Sequence, residues 1–99
     1  MENNSTANQI FQQLGGGRFA AMVGMKNAVH GKNFLMFSIG KAKDGINKVR
    51  VTLEPTDTYK VEFFRLRGVD CRQIASTDMV YADSLREVFT SYTGLLCTM

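Results

Sequence analysis

Residues 46–68, INKVRVTLEPTDTYKVEFFRLRG, constrain the fold of this chain more than any other stretch. Val49, Val51 and Leu53 alternate with Lys48, Arg50 and Thr52. A period of two with one apolar and one polar face is that of a half-buried antiparallel strand. Glu54-Pro55-Thr56-Asp57, holding the only proline, is a turn. The chain returns with Tyr59, Val61 and Phe63 set against Lys60 and Glu62. At the Phe63-Phe64 doublet the apolar phase passes to Phe64 and Leu66. A β-bulge there explains the switch and re-aims Arg65 and Arg67 towards the polar face. A lone hairpin is marginal in water, so its apolar face requires cover.

The ends of the chain supply that cover. Ile10, Phe11 and Leu14 have helical spacing behind the capping candidates Ser5, Thr6 and Asn8. Gly15 to Gly17 stop this helix. Near the other end, Leu85, Val88, Phe89 and Tyr92 recur at i, i+3, i+4 and i+7, with Asp83 at the start and Gly94 at the stop. LLCTM, residues 95–99, is expected to fold back as an apolar tail. Between the helices, the continuous apolar run RFAAMVGM, residues 18–25, reads as a first strand. A turn around His30-Gly31 leads into FLMFSI, residues 34–39, as a second. GKAKDG, residues 40–45, is a polar turn, and VDCRQIAST is irregular with a short fifth strand near Cys71 to Ile74. The expected fold is α+β: an antiparallel sheet of four or five strands with an N-terminal and a C-terminal helix packed on one face. It forms one domain over residues 1–99, with residues 1–5 disordered.

The composition, 44% hydrophobic and 21% charged, is that of a soluble globular protein. No apolar run approaches the roughly 18 residues of a membrane span, and MENNSTANQ resembles no secretory leader. A cytoplasmic location is expected. Cys71 and Cys97 are then reduced thiols, one or both buried. Six methionines are many for 99 residues; Met22, Met25 and Met36 are expected to fill the core, with an adaptable binding surface as the alternative.

Chemical motifs are few. The glycines of LGGGRFAAMVGMKN, residues 14–27, are placed here between a helix and a strand. A phosphate-cradling loop instead joins a strand to a helix, and Gly31-Lys32 is followed by Asn33 rather than Ser or Thr. A helix stop is therefore the expected role of the glycines. His30 is the only histidine and no local signature pairs it with a cysteine, so neither metal nor cofactor is expected and no enzyme is indicated.

The charge pattern is more informative. The net charge is +3, and Lys48, Arg50, Lys60, Arg65 and Arg67 share one hairpin. If their outward faces combine, cations lie among aromatics on an open sheet, an arrangement suited to single-stranded or duplex nucleic acid. The bland alternative is a solvated face with basic residues guarding an edge, and Glu62 interrupts the patch.

LGGGRFAAMVGMKN, INKVRVTL, DTYKVEFFRLRG and VYADSLREVFTSYTGL together resemble segments of a widespread group of short proteins of tailed phages and prophages. That group reads LGG-x-x-F-x-x-M-x-G-x-KN near the start and VYA-x-x-L-x-x-x-F-x-x-x-TGL at the end. The resemblance covers most of residues 9–96. It implies a phage accessory gene and transfers no catalytic residues; Lys26-Asn27 are the residues it draws attention to. Accessory proteins of this kind bind nucleic acid, or bind and block a host or phage protein such as defence machinery.

Overall fold

In the computed structural model, which describes residues 5–40, 42 and 45–94, the two alternating segments form the centre of a sheet. β3 (Lys48–Leu53) pairs with β4 (Tyr59–Arg67) in one unbroken antiparallel register from Lys48 opposite Phe64 to Leu53 opposite Tyr59. The turn between them closes with Asp57 N–H donating to Glu54 O at 2.9 Å. β2 (Phe34–Ser38) lies beyond β3, β1 (Lys26–His30) beyond β2, and β5 (Asp70–Val80) beyond β4. The five strands follow chain order, a meander with β1 and β5 as edges.

Alternation on these strands sends one set of side chains to the helices. Leu35, Phe37, Val49, Val51, Tyr59, Val61 and Phe63 are buried there. The covering layer is α1 (Ser5–Leu14), α2 (Gly16–Val23) and α3 (Leu85–Thr93), the last entered through a 3₁₀ turn at Ala82–Ser84. Phe19 of α2 stands edge-on to Phe37 at 5.8 Å and to Phe89 of α3 at 5.0 Å, tying sheet and helices at one point. Phe63 stacks on Tyr92 at 4.8 Å. Tyr59, 1% exposed, accepts a hydrogen bond at 3.3 Å from Gln9 Nε2, and burial pushes its phenol above the usual range. The α+β class and the two terminal helical segments are as expected.

The first strand is not. RFAAMV belongs to α2, because Gly16, Phe19 and Val23 bury one face at the helical spacing i, i+3, i+7 while Ala21 is exposed, and because Gly24 adopts φ 69 with its N–H on Ala20 O. Continuity of the apolar run hid this period. The glycines do end α1, as expected, but Gly15 (φ 126) then turns the chain directly into a second helix. The true first strand is the stretch expected as a turn, with the reversal following at Gly31 to Asn33. There a Cβ at Gly31 would lie 2.2 Å from the Phe34 ring, so any other residue displaces that ring. β5 runs to eleven residues where only a short strand was expected. Polar alternation too weak for a strand pattern is paired all along β4 instead.

Ser5 is the first residue of α1; residues 1–4, the expected tail 95–99 with Cys97, and Lys41, Lys43 and Asp44 of the polar turn lie outside the described residues. Cys71 is exposed, not buried. Among the described residues no helix is long and apolar enough to cross a membrane.

The register that aims the sheet's faces is held by Asn47. Its Nδ2 donates to Leu66 O at 2.9 Å, its Oδ1 accepts from Leu66 N–H at 2.8 Å, and its own N–H reaches Phe64 O at 2.9 Å. The side chain thus extends the β3–β4 ladder. Asn47→Ala is expected to lower unfolding free energy by about 2 kcal/mol, measurable as a shifted denaturation midpoint with unchanged slope.

Candidate nucleic-acid interface

The face of the sheet opposite the helices is open among the described residues, and register arranges it in rows across the strands. The first row runs Lys26, Ser38, Lys48, Phe64, Gln73; the second runs Val29, Met36, Arg50, Glu62, Ser76; the third runs Phe34, Thr52, Lys60. Lys48, Arg50 and Lys60 therefore meet on one surface, as the alternation in the sequence predicts. Phe34, Met36, Lys48, Arg50, Lys60 and Phe64 are each half-buried, their stems lying along the sheet.

Electrostatics separates the three cations. Arg50 Nε donates to Glu62 Oε1 at 2.8 Å, and its guanidinium sits over the Phe64 ring at 5.7 Å. The hydrogen bond to Glu62 raises the Arg50 pKa above its ordinary value, in a side chain that keeps 37% of its surface exposed. Glu62 is 7% exposed, so its charge is spent on Arg50 rather than on solvent. Lys48 and Lys60 have no acidic partner among the described residues, so they carry the free positive charge of the face.

Arg65 and Arg67 do not join this group. β4 keeps its phase from Tyr59 onward, because its pairing with β3 is continuous through both Phe63 and Phe64. The expected irregularity exists, but its extra residue is Ile74 of β5, between Gln73 opposite Phe64 and Ala75 opposite Phe63. β4 is therefore not re-aimed. Arg65 faces the same side as the core strands, beyond the core's edge. It lies over Gly45, where a Cβ would come within 2.8 Å of its Cδ, and directly opposite Arg72. Arg67 is exposed opposite Asp70 near the β4–β5 turn.

The same phase decides the aromatics. Phe63 is fully buried, while Phe64 is the ring on the open face. Two members of the surface went unread in the sequence: Phe34 and Met36. Their signal was available, since Leu35 and Phe37 alternate with them, but an unbroken apolar run masks alternation. Met36 is thus a surface methionine, whereas Met25 packs against the core.

Glu62 sets the balance of the face. Glu62→Gln is expected to release Arg50 for an anionic partner and to steepen the dependence of log affinity on log salt by about 0.7 for single strands. Equilibrium titrations at four salt concentrations read that slope.

Among the described residues no group of three or more His, Cys, Asp or Glu side chains is placed to hold a metal ion. No protein-family model, curated protein or solved structure matches the chain.

Proposed function

We propose that the protein is a small non-catalytic binding module of phage or prophage type that engages nucleic acid through the open face of its sheet. The observation that carries this reading is the convergence of Lys48, Lys60 and the Arg50–Phe64 stack on one uncovered surface, with Phe34 beside them. Lysines of this kind neutralise phosphates. A guanidinium over a ring, and a half-buried ring nearby, offer bases a stacking partner without reading their edges. Binding is thus tolerant of sequence, favours single strands and weakens steeply with salt. The LGGGRFAAMVGMKN and VYADSLREVFTSYTGL motifs support the phage context, and that context favours the host cytoplasm as the site of action.

Fluorescence anisotropy of labelled single-stranded and duplex oligonucleotides, at low and at physiological salt, tests the reading. Salt-sensitive micromolar binding supports it; no binding at low salt overturns it.

A second reading has its own support. β5 presents an eleven-residue edge, and Met79 and Tyr81 beside its end are 58% and 61% exposed. An edge strand with apolar side chains at one end suits β-augmentation by a partner protein. That reading makes the chain a stoichiometric inhibitor or adaptor. It predicts a fixed ratio with one host or phage protein and no affinity for bare oligonucleotides.

A further inference from the structure

The edge strand β1 departs from regular pairing at one place. His30 lies opposite Leu35 and Val29 opposite Met36, but the next pair is Lys26 opposite Ser38. From Val29 to Lys26, β1 takes three steps where β2 takes two, so the extra residue falls at Asn27–Ala28. Asn27 is held there at φ 55, in the left-handed region that few residues other than glycine adopt.

The slip decides which way Lys26 points. Residues opposite one another across a ladder share a face. Met36 and Ser38 alternate with the buried Leu35 and Phe37, so Val29 and Lys26 both lie on the open face. Strict alternation along β1 would instead put Lys26, three residues before Val29, on the helix side. Bulges re-aim side chains in this way, and strained non-glycine residues concentrate at functional sites.

The re-aimed side chain is a cation. Lys26 is exposed and has no acidic partner among the described residues. It stands in the row of Lys48 and Phe64, two strands from Lys48 and three from Phe64. At about 4.8 Å per strand, its backbone is roughly 10 Å from that of Lys48. Two ammonium groups so spaced reach separate phosphates of one nucleic-acid strand, while the Phe64 ring in the same row meets a base.

We propose that Lys26 is a further phosphate contact of the open face, and that the bulge at Asn27 is the device that places it there. The proposal rests on the nucleic-acid reading and deepens it: the contact surface runs past β2 to the edge of the sheet.

Anisotropy titrations of a labelled oligothymidylate at four salt concentrations, with the full chain and three variants, test the assignment. Lys26→Ala is expected to flatten the log–log salt dependence by about 0.7 and to weaken binding at low salt about three-fold. Asn27→Val, whose β-branched side chain disfavours positive φ, is expected to straighten β1, turn Lys26 off the face and lose as much. Asn27→Gly keeps the left-handed conformation and is expected to match the parent chain. Both Asn27 variants remove the same side chain, so the difference between them reports the backbone alone. Lys26 and Asn27 are exposed, so all three variants should fold, which urea unfolding checks. A parent-like slope for Lys26→Ala, with the parent bound, overturns the inference and leaves the bulge as a guard against edge pairing. Equal slopes for Asn27→Val and Asn27→Gly also overturn it. No binding by the parent at low salt overturns the nucleic-acid reading itself, and this inference with it.

Discussion

Phe19→Ala is expected to lower unfolding free energy by about 3–5 kcal/mol. Phe19 is fully buried where α2, β2 and α3 meet, edge-on to both Phe37 and Phe89. Truncation removes the area of one large ring and two aromatic contacts at once, and the small cavity left cannot close without moving a helix. Domains of this size have about 5–15 kcal/mol in total, so the variant sits near the edge of folding. Val29→Ala, at a side chain 53% exposed on the edge strand, is the control and should change stability by less than about 1 kcal/mol. Urea unfolding of the two variants beside the parent chain makes the comparison. A loss below about 1 kcal/mol for Phe19→Ala would mean that residues 16–23 are not the helix described, since only a helix puts Gly16, Phe19 and Val23 together on one buried face.

Lys48→Ala/Lys60→Ala carries the largest expected effect on binding. Both side chains lie on the open face without acidic partners among the described residues, so each is free to neutralise one phosphate. Losing two such contacts should flatten the log–log salt dependence for single strands by about 1.4 and weaken binding at low salt on the order of ten-fold. The loss should be alike for all base sequences, because phosphate contacts carry no sequence information. Arg65→Ala/Arg67→Ala removes the same formal charge from the other side of the sheet, and should leave the slope near that of the parent. Anisotropy titrations of the three proteins at matched salt separate them. Equal losses in both double variants would mean that net charge, and not this face, governs binding. Neither double variant should unfold, since all four side chains are at least partly exposed.

The contrast between the two pairs of cations also shows what the sequence conveyed. β3 was fully legible, because strict alternation of Val49, Val51 and Leu53 with Lys48, Arg50 and Thr52 admits one register of faces. α3 was legible for the same reason at helical period. Arg65 and Arg67 were misplaced because the Phe63-Phe64 doublet signals an irregularity without saying which strand holds the extra residue. Pairing, a long-range property, puts it at Ile74 of β5. α2, expected as a strand, and β1, expected as a turn, differ from expectation for nearby reasons. A short run such as RFAAMVGM is apolar at either period, and only the packing of Phe19 and Val23 together with Gly16, with Ala21 left exposed, selects the helix. KNAVH carries turn-forming Asn27 and little apolar pattern, yet it forms an edge strand because β2 offers it an open ladder. Phe34 and Met36 belong to the candidate surface but were concealed by their buried neighbours.

The central claim is that nucleic acid lies on the face of the sheet opposite the helices. The most direct test is amide chemical-shift mapping of the full chain with a short oligothymidylate at low salt. Shifts grouped along the strands at Met36, Lys48, Arg50, Lys60, Phe64 and Gln73, with α1 to α3 unmoved, are the predicted result. Shifts gathered on the helices, or none at saturating oligonucleotide, would contradict it.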